Sequence, residues 1–155
     1  MQRILVGVDF SPESDAAIRT AFTLARAFDA IITLLHVHEL PTVMNGIVPG
    51  ADSATDAKLL RAAAQAQLAS LSGRLHTHDP RAREGGITIE TAVEGGVPAE
   101  VILARAGSGA FDLVVMGTHG RTGLRRLLVG SVAEAVIRGA PCPVVTVHLP
   151  LAPKL

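Results

Sequence analysis

Short apolar runs recur along the chain, and the stretches between them carry their apolar residues at helical spacing. Arg3 to Asp9 is a run of Ile, Leu and Val that closes on an acid, as expected of a strand buried on both faces of a parallel sheet. Ile31 to Val37 reads the same way, and Leu113 to Met116 is apolar throughout, which predicts a central strand. Ile87, Ile89, Thr91 and Val93 alternate with Thr88, Glu90, Ala92 and Glu94, which predicts a less buried strand at an edge. Val144 to His148 supplies a fifth run.

The intervening segments start and stop where helices should. Ser11-Pro12-Glu13 offers an N-cap, a proline at the first helical position and an early acid, followed by Ala17, Ala21, Leu24, Ala25 and Phe28 on one face. This helix is predicted to end near Asp29-Ala30. A second is expected from about Asp56, with Leu60, Ala63, Ala64, Gln67, Leu68, Leu71 and Leu75 inward, stopping before Asp79-Pro80. Pro98 begins a third, through about Ala106, behind Val97, a poor N-cap. The fourth is predicted over Ser131 to Arg138, with Gly139 as C-cap and Pro141 beyond. Leu40 to Thr55 holds two prolines and two glycines and reads as a long loop, a lid or partner surface. Strands alternating with helices give an α/β class: a parallel sheet with helices on both faces.

Residues 114 to 132 add chemistry to that frame. The run Leu113 to Met116 stops at Gly117, a loop rich in glycine and arginine follows, and Gly130-Ser131 opens the next helix. Glycines let backbone N–H groups approach an anion, and a helix N-terminus adds unpaired donors. Ser131 also precedes Glu134 by three, a capping-box spacing. The spacing Gly117-x2-Gly120-x9-Gly130-Ser131 is neither a P-loop nor the dinucleotide fingerprint. A valine at Gly130 is therefore expected to cost ligand binding and leave the fold nearly as stable.

This pattern, with Ile4-Leu-Val-Gly-Val-Asp9-Phe-Ser at the start, Leu35-His-Val37 in the second strand and Pro141-Cys-Pro-Val-Val at the end, resembles the ATP-binding universal stress proteins over nearly the whole chain. The resemblance implies one universal stress protein domain over residues 1–155 and a Rossmann-like, adenine nucleotide alpha hydrolase-like fold. It implies a five-stranded sheet in the order 3-2-1-4-5. The first and fourth strands then lie side by side, and ligands bind at the crevice beyond their carboxyl ends. The implied nucleotide site comprises Val8, Asp9, Val37, Met116, Gly117, His119, Gly120, Arg121, Gly130, Ser131 and Val132. Asp9 would accept from ribose hydroxyls or simply cap the turn at Ser11. Val37 would meet adenine, and Arg121 and His119 would reach phosphate. The cofactor implied is ATP, with Mg²⁺ carried by the triphosphate. The implied role is a nucleotide-dependent regulator in the stress response. The rival readings are a slow ATPase or nucleotide-transfer enzyme, with Glu13 or Glu39 as base, and a ligand-free interaction module. A homodimer through Val144 to His148 is implied as well, since an exposed apolar edge strand invites pairing.

Composition narrows the remaining classes. Fourteen basic residues balance fourteen acidic ones, and Trp and Tyr are absent, so neither a nucleic-acid surface nor an attraction to membranes is expected despite Arg121, Arg125 and Arg126. No apolar run reaches the length of a membrane span, and the N-terminus leads straight into a strand pattern, so a cytoplasmic protein is expected. A single cysteine, Cys142, agrees with a reducing compartment and lacks the local signals of a catalytic thiol. His36-x-His38 and His76-x-His78 place imidazoles in pairs, but nothing stands at structural-zinc spacing, so no protein-held metal and no catalytic residue is assigned.

Overall fold

The computed structural model describes residues 1–39, 53–78, 86–119 and 130–149. The elements run β1 (Arg3–Gly7), α1 (Pro12–Phe28), β2 (Ile31–His38), α2 (Ser53–His78), β3 (Ile89–Gly95), α3 (Pro98–Gly107), β4 (Leu113–Gly117), α4 (Ser131–Gly139) and β5 (Val144–Val147). All five strands are parallel and lie in the order β3-β2-β1-β4-β5. The order expected from the resemblance is the observed one, with β1 and β4 paired from Ile4↔Leu113 to Val6↔Val115.

Alternation along the strands divides the core in two. Ile4, Val6, Ile32, Leu34, Leu113 and Val115 face one side, against Ala17, Ile18, Ala21, Phe22 and Ala25 of α1 and Ala64, Leu68 and Leu71 of α2. Leu5, Leu35, Val114 and Met116 face the other, against Ile102 and Ala106 of α3 and Ala133 and Val136 of α4. Each Val, Leu, Ile, Phe or Met side chain among them, fully buried, contributes about 1.5–3 kcal/mol. Alanines on α1 let that helix lie close to the sheet. Only a narrow stripe of α2 is inward. Leu60, Ala63 and Gln67, expected to face the core, are exposed.

The helix ends follow their local chemistry, with three departures from expectation. The Oγ of Ser11 accepts from the N–H of Ser14 at 3.2 Å, and α1 closes at Asp29, whose left-handed backbone (φ 51°) ends the helix. Helix α2 begins at Ser53, inside the segment expected to be a loop, whose residues 40–52 lie outside the described ones. Strand β3 begins at Ile89, with Ile87 buried just before it. Helix α4 includes Gly139 and closes at Ala140 in extended conformation, so Gly139 is not a left-handed cap. A Cβ at Gly139 would come within 3.2 Å of Leu103, so packing against α3 accounts for the glycine.

Candidate functional site

Strands β1 and β4 are neighbours whose following helices lie on opposite faces, so their carboxyl ends open onto a crevice. β2 extends that crevice. Its last pair with β1 is Gly7↔Leu35, yet it continues to His38 paired only with β3. Val37 lies on this overhang, half-buried, opposite Glu94 of β3.

One wall is the turn from β1 into α1. Asp9 accepts from Ser11 through both the backbone N–H (3.0 Å) and the hydroxyl (2.6 Å), and its own N–H donates to the Oγ of Ser14 at 3.3 Å. The turn role weighed for Asp9 is therefore present, and it holds the carboxylate at the positive end of α1. Phe10 takes a left-handed backbone with φ 62°, which is strained for an aromatic residue. Its ring lies 4.7 Å from that of His36, whose Nδ1 is bonded to the carbonyl of Val8 at 2.7 Å. Val8 itself is buried, and its N–H donates to the carbonyl of Leu35 at 2.8 Å.

The other wall is the passage from β4 to α4. At Gly117 a Cβ would stand 2.8 Å from the Cβ of Glu13, so only glycine lets the first turn of α1 meet the end of β4. Thr118 then ties three elements together. Its N–H donates to the carbonyl of Val147 at 2.9 Å, and its carbonyl accepts from the N–H of Gly130 at 2.7 Å. Its hydroxyl lies 3.1 Å from the Nδ1 of both His119 and His148. The residues either side of the glycine loop thus meet across a single hydrogen bond.

The capping box expected at Ser131 is not formed. Gly130 is the N-cap, its carbonyl accepting from the N–H of Glu134 at 2.9 Å, and no side chain caps the helix. Ser131 is already the first helical residue and is exposed. The N–H groups of Ser131, Val132 and Ala133 precede the first intrahelical bond and so have no acceptor within the helix. The contrast with α1, where Ser11 occupies the cap and its Oγ accepts from the N–H of Ser14, is direct. Val132 and Met116 pack into the second core cluster. Gly120 and Arg121, with Arg125 and Arg126, lie outside the described residues.

Thr118, His148 and His36 belong to the neighbourhood and were not among the residues expected there. Thr118 and His148 are 30 positions apart and are joined by a hydroxyl, which leaves no pattern in a sequence. Of the histidine pairs, His36 is engaged with Val8 and Phe10, and the buried Nδ1 of His38 has no hydrogen-bond partner among the described residues. The side chains of His76 and His78 lie outside the described ones. No three His, Cys, Asp or Glu gather as a metal site among the described residues. Burial pushes the Cys142 thiol above its ordinary value, the direction opposite to activation.

The sequence profile of the universal stress protein family matches residues 1–148. The chain belongs to that family. A universal stress protein of Methanocaldococcus jannaschii is 35% identical over 149 residues, covering 96% of this chain and 83% of that one. Among solved structures, the universal stress protein UspA from Lactobacillus plantarum is 26% identical with a TM-score of 0.72, covering 94% of this chain and 97% of that one. A universal stress protein in complex with cAMP is also 26% identical, with a TM-score of 0.59, covering 95% of this chain and 97% of that one. No helix among the described residues of this member is long and apolar enough to cross a membrane.

Proposed function

We propose that this universal stress protein binds ATP, with Mg²⁺ on the triphosphate, in the crevice between the ends of β1 and β4. The observation that carries the reading is the N-terminus of α4: it opens on Gly130 without a side-chain cap, and an exposed Ser131 hydroxyl stands beside its donors. Unpaired N–H groups, a helix dipole and a hydroxyl form a donor set suited to phosphate. The cAMP complex of a relative supports an adenine nucleotide as the occupant.

On this reading Gly117, His119, Gly120, Arg121, Gly130, Ser131 and Val132 surround the phosphates. Asp9 takes the ribose, with Ser11 holding its Oδ1. Val37 meets the base from the overhang of β2, with Val8 and Met116 behind. Mg²⁺ needs few protein ligands in such a site because phosphates and water complete its octahedron. The protein is a binder and not a catalyst: phosphoryl transfer requires a positioned nucleophile as well as charge stabilisation. It acts as a single-domain, cytoplasmic homodimer whose nucleotide state is reported to a partner in the stress response.

The test is direct. Nucleotide released by acid from the purified protein, and calorimetric heat on adding ATP and Mg²⁺, are the expected results. ATP at a hundred times its Kd stabilises the folded state by about 2.7 kcal/mol. No heat and no thermal shift would overturn the reading. Phosphate release over many turnovers, abolished by Glu13→Gln, would instead favour an ATPase.

A further inference from the structure

Helix α2 buries only its second half. Its core stripe is Ala64, Leu68 and Leu71, and no side chain from Thr55 to Ala63 is buried. In that first half Leu59 is 63% and Leu60 45% exposed, although leucine is a residue that folding normally covers. Leu60 belongs to a flank that runs the length of the helix. Asp56, Leu60, Ala63, Gln67, Ser70 and Arg74 follow one another at steps of three and four, with Leu59 beside Leu60.

The far end of the same flank borders a recess. Among the described residues, Phe10 and the α2 residues Ala66, Gln67, Ser70 and Arg74 line a surface hollow of about 410 Å³. A second hollow, of about 230 Å³, continues past Arg74 over Ile18, Leu71 and Leu75, with Asp15 and Arg19 on its α1 rim. One flank of one helix therefore carries an exposed apolar pair near its start and a partly apolar recess near its end. Its charges are divided in the same way. Asp56 stands beside the leucines, and Arg74 stands at the recess, where its Nη1 donates to the Oγ of Ser70 at 3.0 Å. A guanidinium has further N–H groups, and a carboxylate is the acceptor that suits them best. Asp15 and Asp56 balance Arg19 and Arg74, so the surface selects neither an acidic nor a basic partner. It is complementary to itself.

We propose that this flank docks a second copy of the chain, the two α2 helices lying antiparallel across a two-fold axis at the level of Gln65. Gln65 is midway between Asp56 and Arg74 in the sequence, so such an axis sets Asp56 of each copy level with Arg74 of the other. The same axis sets Leu59 and Leu60 level with Leu71 and Ser70 of the other copy, over the hollow that Phe10 borders. The apolar pair of each copy enters the recess of the other, and an ion pair closes each end. The contact is isologous and therefore closed. It uses no residue of β5 and none assigned to the nucleotide, so it stands apart from both readings. Where β5 pairs as well, the two contacts join dimers into a larger assembly.

Sedimentation of the ligand-free protein from micromolar to sub-millimolar concentration tests the contact, in wild type and in Thr146→Pro, which lacks the outward donor of β5. With rising concentration the mass of Thr146→Pro is expected to climb from one chain to two, and that of wild type to climb by the same step. In the Thr146→Pro background, Leu60→Ser should weaken this association about tenfold or more, because the lost contact occurs twice across the axis. Asp56→Arg and Arg74→Asp should each weaken it too. Combined in one chain, or mixed as two proteins in equal amounts, they should restore it. Asp56 and Arg74 of one helix are about 27 Å apart along its axis, so restoration arises only between copies. A melting curve for each variant shows that it is folded, and Leu60→Ser leaves the charges at the helix start as they are should Asp56→Arg disturb them. A mass that does not change over the whole range overturns the proposal, and so does Leu60→Ser associating as strongly as its parent. Charge variants that weaken association without restoring it in combination overturn it as well, and assign the recess to a different occupant.

Discussion

Gly117 and Glu13 meet with no room between them: a Cβ on the glycine would lie 2.8 Å from that of the glutamate and 3.2 Å from its carbonyl carbon. The start of α1 is thereby pressed onto the end of β4, and the two walls of the crevice share this contact. Gly117→Ala is expected to cost about 1–3 kcal/mol by overpacking, because the opposing atoms include backbone and cannot swing away. Thermal melting without ligand checks this, and a Tm equal to wild type would mean that α1 is free to shift.

Gly130 behaves differently from the expectation drawn from spacing alone. A Cβ there would stand 2.9 Å from the carbonyl oxygen of Thr118, so Gly130→Val is expected to lower ligand-free stability as well as affinity. Ser131→Ala is the cleaner probe. Its side chain is exposed and makes no capping bond, so the ligand-free melt should stay within about 0.5 kcal/mol of wild type. A lost bond to a charged oxygen is worth about 1.5–3 kcal/mol, which corresponds to tenfold or more in Kd for ATP. Unchanged affinity in calorimetry would move the phosphates elsewhere.

The dimer is expected to form through β5. The opposite edge, β3, carries Glu90 and Glu94, which pair with Arg3 and Arg105, whereas β5 is Val-Val-Thr-Val and only half-buried. Charged edges resist pairing and apolar ones invite it. The carbonyls of Pro143 and Val147 bond to β4, so the N–H of Thr146, one residue out of phase, faces away from the sheet. Thr146→Pro removes that outward donor and leaves the ladder to β4 intact. Light scattering should give a dimer for wild type and a monomer for Thr146→Pro at micromolar concentration. A monomeric wild type would refute the expectation.

Acid should loosen the start of the chain through Asp112. The backbone N–H of Gln2 donates to its carboxylate at 2.6 Å and that of Arg3 at 3.0 Å, and these bonds hold its pKa below the ordinary carboxylate value. Because the folded value is the lower one, the stabilisation is complete above the unfolded pKa and is lost as pH falls through the folded one. Urea unfolding followed from pH 6 down to pH 2.5 should show that loss, and Asp112→Asn should lack its share. Parallel curves for the two proteins would count against it.

Much of this architecture is readable in the chain because burial leaves a periodic trace. Leu113 to Met116 is apolar on both faces, and Ser11-Pro12-Glu13 starts a helix by local bonds alone, so both were expected where they occur. Local pattern misleads where two residue types satisfy one rule. Ser131 and Glu134 have capping-box spacing, yet Gly130 takes the cap because its N–H is held by Thr118. Gly139 has the look of a terminator, and it is small because Leu103 packs there. Contacts between distant residues leave no trace of either kind. The Asp9 network spans five residues and could be weighed in advance, while the meeting of Thr118 with His148 depends on how β4 and β5 align.

The bond from Gly130 to Thr118 also separates what the protein must keep from what it can exchange. Since Thr118 after β4 and Gly130 before α4 are joined at 2.7 Å, these two anchors are held together independently of the length of chain between them. Loop-closure entropy grows only with the logarithm of length, and doubling such a segment costs about 0.6 kcal/mol. The positions after His119 and before Gly130 are therefore a natural cassette. Segments of other lengths and charges can be grafted between the same two anchors to retune which anion the protein accepts, with the β-sheet behind them left as it is.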